Sequence, residues 1–404
     1  MKKYKTVAMR IAMTGATGML GSELLFEIVK QHLNCLDQLQ LFVLGRANDS
    51  TLPQRIQDLF TSGGLDYMQL SPDAGILKHL RNAIIPIVFD FSNDEPGLAG
   101  EDLSQLRNGQ IDFFFHVGSL TDLRHDSAVQ AQLENSNISG TNRLLRLLDR
   151  LDVARLAYVS TAYVCGSKTG DIHPTDVDLH QKFRNPYEKT KLQAEILFRE
   201  YAYRRKTKCY VFRPSTIAGR LLENPIGHTP NFEVFYGWAA WFLKQKSKRF
   251  GSLADLLEQP IEMNIRLRVN PKGGLNIVPV DYVAKMLIGL TCEDNNCTEY
   301  HLANREETLH IDHISWMLES INITGFTFVE NEPEDQNSLE RLYYRSLGKV
   351  YTPYMISGPM NFDTSNLKQT EGRLGVTCPR IDQVHFGHLM NYAKAKRFGL
   401  NELM

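Results

Sequence analysis

Short apolar runs and amphipathic stretches alternate through the first 220 residues. "RIAMTGATG" reads as a strand entering a glycine turn. "MLGSELLFEIVKQHL" then repeats Leu20, Leu24, Leu25 and Ile28 at helical spacing. "LQLFVLGR", "IIPIVFDFS" and "IDFFFHVGS" read as the next three strands. The last is almost uniformly apolar, as expected of a parallel strand covered on both faces. "NISGTNRLLRLLDRL" predicts a helix, "ARLAYVSTAYVCG" a fifth strand, "NPYEKTKLQAEILFRE" a helix and "CYVFRPSTIAG" a sixth strand. This alternation predicts an α/β fold with a Rossmann-like, doubly wound parallel sheet.

The pattern changes after residue 220. Residues 221–275 are rich in Pro, aromatics and Lys. "LNIVPVDYVAKMLIGL" resumes a strand and a helix, and "EYHLAN" reads as one more strand. The expected division is a dinucleotide-binding Rossmann domain over 1–220, continued by about 275–305. A smaller substrate-binding region takes 221–274 and 306–404.

Composition narrows the class. A chain of 404 residues, 43% hydrophobic and 23% charged, suits a soluble globular protein. A formal net charge of -1 offers no global field for nucleic acid. Six scattered cysteines form no disulfide framework or CxxC pair, which favours reduced thiols and a cytoplasmic location. The N-terminus lacks the apolar core of a signal peptide, and no stretch approaches the length of a membrane span. His310 and His313, and likewise His385 and His388, share a spacing but lack the partners of a metal site. They read as structural, and no metal is expected.

The candidate chemistry lies at the strand ends. "TGATGMLG" sets Gly15, Gly18 and Gly21 between strand and helix, where glycine lets backbone N–H groups approach a pyrophosphate. The spacing is GxxGxxG, an approximate match to the dinucleotide fingerprint. At the end of the second strand an NAD enzyme carries an acid for the ribose 2′-OH. Here Gly45 occupies that place and Arg46 follows, with Arg55 on the next helix. Guanidinium groups suit a 2′-phosphate, so NADP(H) is favoured over NAD(H). The competing reading of Arg46 is a solvated loop charge.

Tyr187 precedes Lys191 by four residues, which on a helix puts both on one face. A phenol near neutrality needs a neighbouring cation to exchange protons. The third member should be a hydroxyl at the end of the fifth strand. Thr161 is expected to face the site, and Ser160 to satisfy backbone.

With "TGATGMLG", "FHVGS", "VSTAYV", "NPYEKTKLQAE", "FRPSTIAG" and "LNIVPVDYVA" in view, the chain resembles the extended short-chain dehydrogenase/reductase superfamily. Within it, the likeness is to fatty acyl-CoA reductases and thioester reductase domains, over residues 9 to about 305. The resemblance implies a pyrophosphate cradle from Gly15 to Gly21, including Thr17, Met19 and Leu20. It implies Arg46 and Arg55 at the 2′-phosphate, Asp90 and Phe91 near the adenine, and Gly118 and Ser119 at the nicotinamide ribose. Pro214, Ser215 and Thr216 would approach the carboxamide, and Thr161, Tyr187 and Lys191 would be catalytic. Gly118-Ser119 departs from the Ala-Ala usual in the family. The implied reaction is NADPH-dependent reduction of an acyl thioester, delivered on CoA or on a separate acyl or peptidyl carrier protein, to an aldehyde or an alcohol. The rivals are a sugar-nucleotide epimerase or dehydratase, a hydroxysteroid-type dehydrogenase, and a non-catalytic NADPH sensor.

The segment "FEVFYGWAAWFLKQKSKRF" spaces Phe232, Phe235, Trp238 and Phe242 as either an acyl-tunnel lining or a core helix. Lys244, Lys246, Lys248 and Arg249 follow. They read as a binding patch for CoA phosphates or an acidic carrier, as a peripheral membrane contact, or as a solvated helix end.

Overall fold

The computed structural model describes residues 9–46, 50–91, 93, 98–248, 253–293 and 297–400. Its centre is a seven-stranded parallel sheet. The strands are β1 (Met9–Thr14), β2 (Leu39–Gly45), β3 (Ile84–Val88), β4 (Ile111–His116), β5 (Val153–Val159), β6 (Lys208–Pro214) and β7 (Glu299–Leu302). Their spatial order is β7-β6-β5-β4-β1-β2-β3. The chain therefore reverses direction across the sheet after β3, and a crevice opens at the carboxyl ends of β1 and β4.

The sheet is apolar on both sides because strand side chains alternate. Ile11, Met13, Leu41, Val43 and Phe115 enter one core, while Ala12, Phe42, Leu44 and Phe114 enter the other. On the first face α1 (Met19–Gln31) packs with Leu24 and Ile28 against Val283 and Leu287 of the helix Val280–Cys292. On the second face Leu144, Leu148 and Phe198 cover the sheet. This bears out the predicted doubly wound α/β sheet.

Two elements depart from the pattern. The helix expected from Asn137 starts earlier, at Ser127, where Asp126 caps it by accepting from Val129 N at 3.0 Å. A π-turn at Glu134–Ser139 interrupts it before Gly140–Leu148. Such a turn shifts the phase of side chains, which hydrophobic periodicity does not report. The third strand is also shorter than its apolar run, ending at Val88.

A further hydrophobic core lies beyond β6. Phe235, Phe242, Ile265, Leu267, Met317 and Leu389 belong to it. It includes a parallel strand pair, Ile261–Arg268 with Ile323–Val329. Glu23 of α1 and Arg220, both fully buried, join this region to the glycine-loop helix through bonds of 2.7 and 2.8 Å. Among the described residues, no helix is long and apolar enough to cross a membrane.

Candidate active site

A cavity of about 810 Å³ opens at the carboxyl edge of the sheet. Gly15 to Gly21 form one end. Gly15 has φ +76°, and a Cβ there would lie 2.5 Å from Gly118 N. A Cβ on Gly21 would lie 1.9 Å from Gly15 O. Both positions exclude side chains because backbone meets backbone. Gly18 caps α1 with no side-chain hydrogen bond, so the first-turn N–H groups have no side-chain acceptor. This bare, positive helix end beside a glycine cradle fits a dinucleotide pyrophosphate.

Arg46 and Arg55 meet at the same end. The Arg55 guanidinium donates to Thr17 Oγ1 at 2.6 Å and to Arg46 O at 3.2 Å, and both arginines line the cavity. Arg46 is exposed. Phe91 also lines the wall, whereas Asp90 does not.

The floor between β1 and β4 is polar. Gly118 N donates to Thr14 Oγ1 at 3.2 Å, and Thr14 Oγ1 pairs with His116 Nδ1 at 2.7 Å. Burial, with a contribution from the Lys191 charge, holds His116 down to about 3, so the ring is neutral. Gly118 and Ser119 both reach the cavity.

Tyr187 and Lys191 sit on α2 (Pro186–Arg205). Asn185 caps this helix, accepting from Glu188 N at 3.0 Å, and Pro186 occupies its first turn. Tyr187 is half-buried on the cavity wall. Burial pushes its phenol up to about 12, opposed by the nearby Thr121 and Thr161 hydroxyls. Lys191 is buried and donates from Nζ to Val159 O at 2.8 Å, 4.7 Å over the Tyr158 ring. Burial brings its ammonium down to about 7, against the pull of Glu195. Lys189 is exposed.

Thr161 lies at the end of β5, where its hydroxyl donates to Pro214 O at 3.4 Å and accepts from Tyr163 N at 3.3 Å. Ser160 differs from expectation. Its buried Oγ satisfies no backbone group and faces the Glu195 side instead. Glu195 is fully buried and held by Arg213 at 2.7 Å. Pro214, Ser215 and Thr216 line the cavity, with Ser215 Oγ on Asn276 Oδ1 at 2.7 Å and Thr216 Oγ1 on the Tyr163 hydroxyl at 2.8 Å.

Three features were not visible in the sequence. Thr121, just past β4, reaches Tyr187 from a segment with no motif. Asn137, delivered by the π-turn, clamps the backbone of Leu120 through N and O at 2.8 and 3.0 Å. Tyr354, 167 positions after Tyr187, donates to Glu188 Oε1 at 2.8 Å and accepts from Asn185 Nδ2 at 2.6 Å. It therefore pins the start of α2.

The aromatic segment divides between its two readings. Phe235 and Trp238 line the cavity, while Phe242 is fully buried in the core. The basic run is not a single patch. Lys246 is fully buried and donates to Ile321 O at 3.0 Å, whereas Lys244 and Lys248 are exposed. Arg249 lies outside the described residues.

Known proteins resemble this chain. The family model described as male sterility protein matches residues 13–287. A linear gramicidin synthase of Brevibacillus parabrevis is 20% identical over 393 residues, 94% of this chain but 7% of that protein. Fatty acyl-CoA reductase 8 of Arabidopsis thaliana is 26% identical over 164 residues, 40% of this chain and 32% of that protein. The chain thus spans less than half the length of either relative. In fold, the crystal structure of the terminal R domain from the myxalamid PKS-NRPS biosynthetic pathway is similar at a TM-score of 0.70. It is 23% identical, covering 97% of this chain and 92% of that one.

Proposed function

This chain belongs to the male sterility protein family, an oxidoreductase family that binds a nicotinamide dinucleotide, and we propose that it is an NADPH-dependent reductase of acyl thioesters. The carrying observation is that one cavity is lined by the bare glycine-loop helix end, two arginines and the set Thr161, Tyr187 and Lys191. Arg46 and Arg55 would hold the 2′-phosphate. Gly15 to Gly21 would receive the pyrophosphate, and Pro214 to Thr216 the carboxamide. The substrate-binding region would comprise 221–274 and 306–404.

NADPH, when bound, supplies the hydride that the thioester carbonyl carbon takes up. Thr161 and Tyr187 donate hydrogen bonds to the carbonyl oxygen as negative charge grows on it, which stabilises the transition state more than the ground state. Thr121, beside the same phenol on the cavity wall, would help to hold it in register. Lys191, anchored to Val159 O, orients the nicotinamide ribose and lends positive charge while protonated. Collapse of the hemithioacetal releases the thiol and an aldehyde. In a second reduction Tyr187 gives its proton to the alkoxide, yielding an alcohol. The thioester arrives on CoA or on an acyl or peptidyl carrier protein, as the likeness to the terminal R domain of a PKS-NRPS pathway suggests.

The test is NADPH oxidation with acyl-CoA and acyl-carrier thioesters beside UDP-sugars, with product identification. Thioester-dependent oxidation that releases free thiol and aldehyde or alcohol is expected. Turnover of a UDP-sugar alone would transfer the chain to the epimerase reading.

A further inference from the structure

Charge is divided unevenly over the cavity. Among the described residues that line it, the cations Arg46 and Arg55 stand at the glycine-loop end, and Lys191 is held on Val159 O. Glu233 is the one carboxylate in that lining. It is an exposed residue, so its oxygens are open to an incoming group. Among the described residues, no hydrogen bond or ion pair joins its carboxylate to a protein group. Asp122 nearby is different, because Arg124 holds it at 2.6 Å.

Electrostatics locate this charge. Burial raises the phenols of both Tyr187 and Tyr351, and the Glu233 charge raises each further. The carboxylate is therefore within reach of the candidate proton donor and of the aromatic wall opposite the glycine loop. Burial raises the Glu233 carboxyl itself, Asp122 adds to the rise, and no cation opposes it. Tyr351 is half-buried on the same cavity, with the Trp238 ring packed against it at 5.4 Å. The backbone that carries Glu233 is fixed. Its carbonyl accepts from Tyr236 N at 3.2 Å, and Val234 after it holds φ +52°, which a β-branched residue adopts only where packing imposes it.

An ionised carboxylate accepts hydrogen bonds and cannot donate. Partly desolvated and unpaired, it is stabilised by an arriving opposite charge. A methylene chain supplies none, and a second carboxylate is repelled. A primary ammonium brings three donors and a charge that also suits the face of an aromatic ring. We propose that Glu233, with Tyr351 beside it, forms an ammonium-binding subsite at the substrate end of the cavity. The acyl group then carries a basic amine, and one that ends in a carboxylate is turned away. This inference rests on the thioester-reductase reading.

The experiment uses the full chain with NADPH and pantetheine thioesters in matched pairs. These are alanyl with lactoyl, β-alanyl with 3-hydroxypropanoyl, and 6-aminohexanoyl with 6-hydroxyhexanoyl, with adipoyl as the anionic member. Each pair differs only in ammonium against hydroxyl. Comparing its kcat/KM ratio between wild type and variant cancels the intrinsic reactivity of the two thioesters. At least one amine should exceed its hydroxyl partner by about fivefold or more, as for a solvent-screened ion pair. Adipoyl should be the poorest of the long acyl groups. Glu233→Gln should lower the ratio by about the same factor, chiefly through KM, and Glu233→Asp should keep part of it. Glu233→Lys should reverse the order and favour adipoyl over 6-aminohexanoyl. If Glu233→Lys does not fold, the ratios in wild type and Glu233→Gln decide. Ratios at or below one in every wild-type pair, or ratios that Glu233→Gln leaves unchanged, would overturn the inference alone. So would an equal loss for amine, hydroxyl and carboxylate acyl groups, which would assign Glu233 to the pantetheine path or to folding. No turnover of any thioester would remove the reductase reading, and the inference with it.

Discussion

The two ends of the cavity are built by different means. The glycine-loop end uses short contiguous segments and backbone: Gly15 to Gly21, with Gly118 pressed against Gly15. The far end uses side chains from separate stretches: Phe235 and Trp238, His310 and His313, Tyr351 and Met355. A backbone-built end tolerates almost no added volume but is indifferent to most side-chain chemistry. A side-chain-built end can be re-tuned residue by residue. On the proposed reading, cofactor recognition and substrate choice can therefore diverge separately on one sheet.

The sharpest way to break the comparison is at the residues between the ends. Tyr187→Phe removes the proposed proton donor but leaves the ring. Turnover should fall by about 10²- to 10⁴-fold, with NADPH affinity nearly unchanged by fluorescence titration. An equal loss of affinity would place Tyr187 in the binding end instead.

Gly21→Ala attacks the backbone end. The new methyl would meet Gly15 O at 1.9 Å, so the loop must move. NADPH binding should weaken by roughly tenfold or more, which is ~1.4 kcal/mol. His313→Leu at the other end should leave cofactor affinity alone. If both substitutions altered cofactor affinity alike, the two ends would not be independent.

Next in size is cofactor choice. Arg46→Ala with Arg55→Ala should weaken NADPH by about tenfold, as expected when two solvent-screened ion pairs are lost at up to ~1 kcal/mol each. NADH should change little. Equal losses for both cofactors would assign the arginines to folding, through the Arg55–Thr17 bond.

The last effect concerns pH. His116 lies under the backbone end and His310 in the side-chain end, and burial lowers them to about 3 and about 4. Between those values and an unfolded value of about 6.5 the unfolded chain binds more protons. Stability is therefore full above about pH 6.5 and declines as pH falls through that window. At pH 5 each ring should cost about 2 kcal/mol. Urea unfolding at pH 7 and pH 5 measures this, and His310→Leu should flatten the slope. A slope unchanged in that variant would count against His310.

The sheet and its glycine end were readable because their signals are local. Alternating apolar strands, the helical repeat of Leu20, Leu24 and Ile28, and the GxxGxxG turn each specify their own neighbourhood, so β1 to β7 and α1 could be traced in the sequence. The Tyr187–Lys191 spacing likewise needs only one helix. Other features depended on packing between segments far apart in sequence. The π-turn that delivers Asn137 leaves the apolar pattern intact. Lys246 reads as part of a basic run in the sequence, yet in the fold its ammonium is buried against Ile321 O. His310 and His313 read as structural because nothing nearby in sequence showed that they line the same cavity as Tyr187. The sequence alone determined the parallel sheet and which side chains stand at its strand ends, because periodicity and turn residues act over a few positions. The tertiary structure decided which side chains line the far end of the cavity, because they come from segments distant in sequence that only packing brings together.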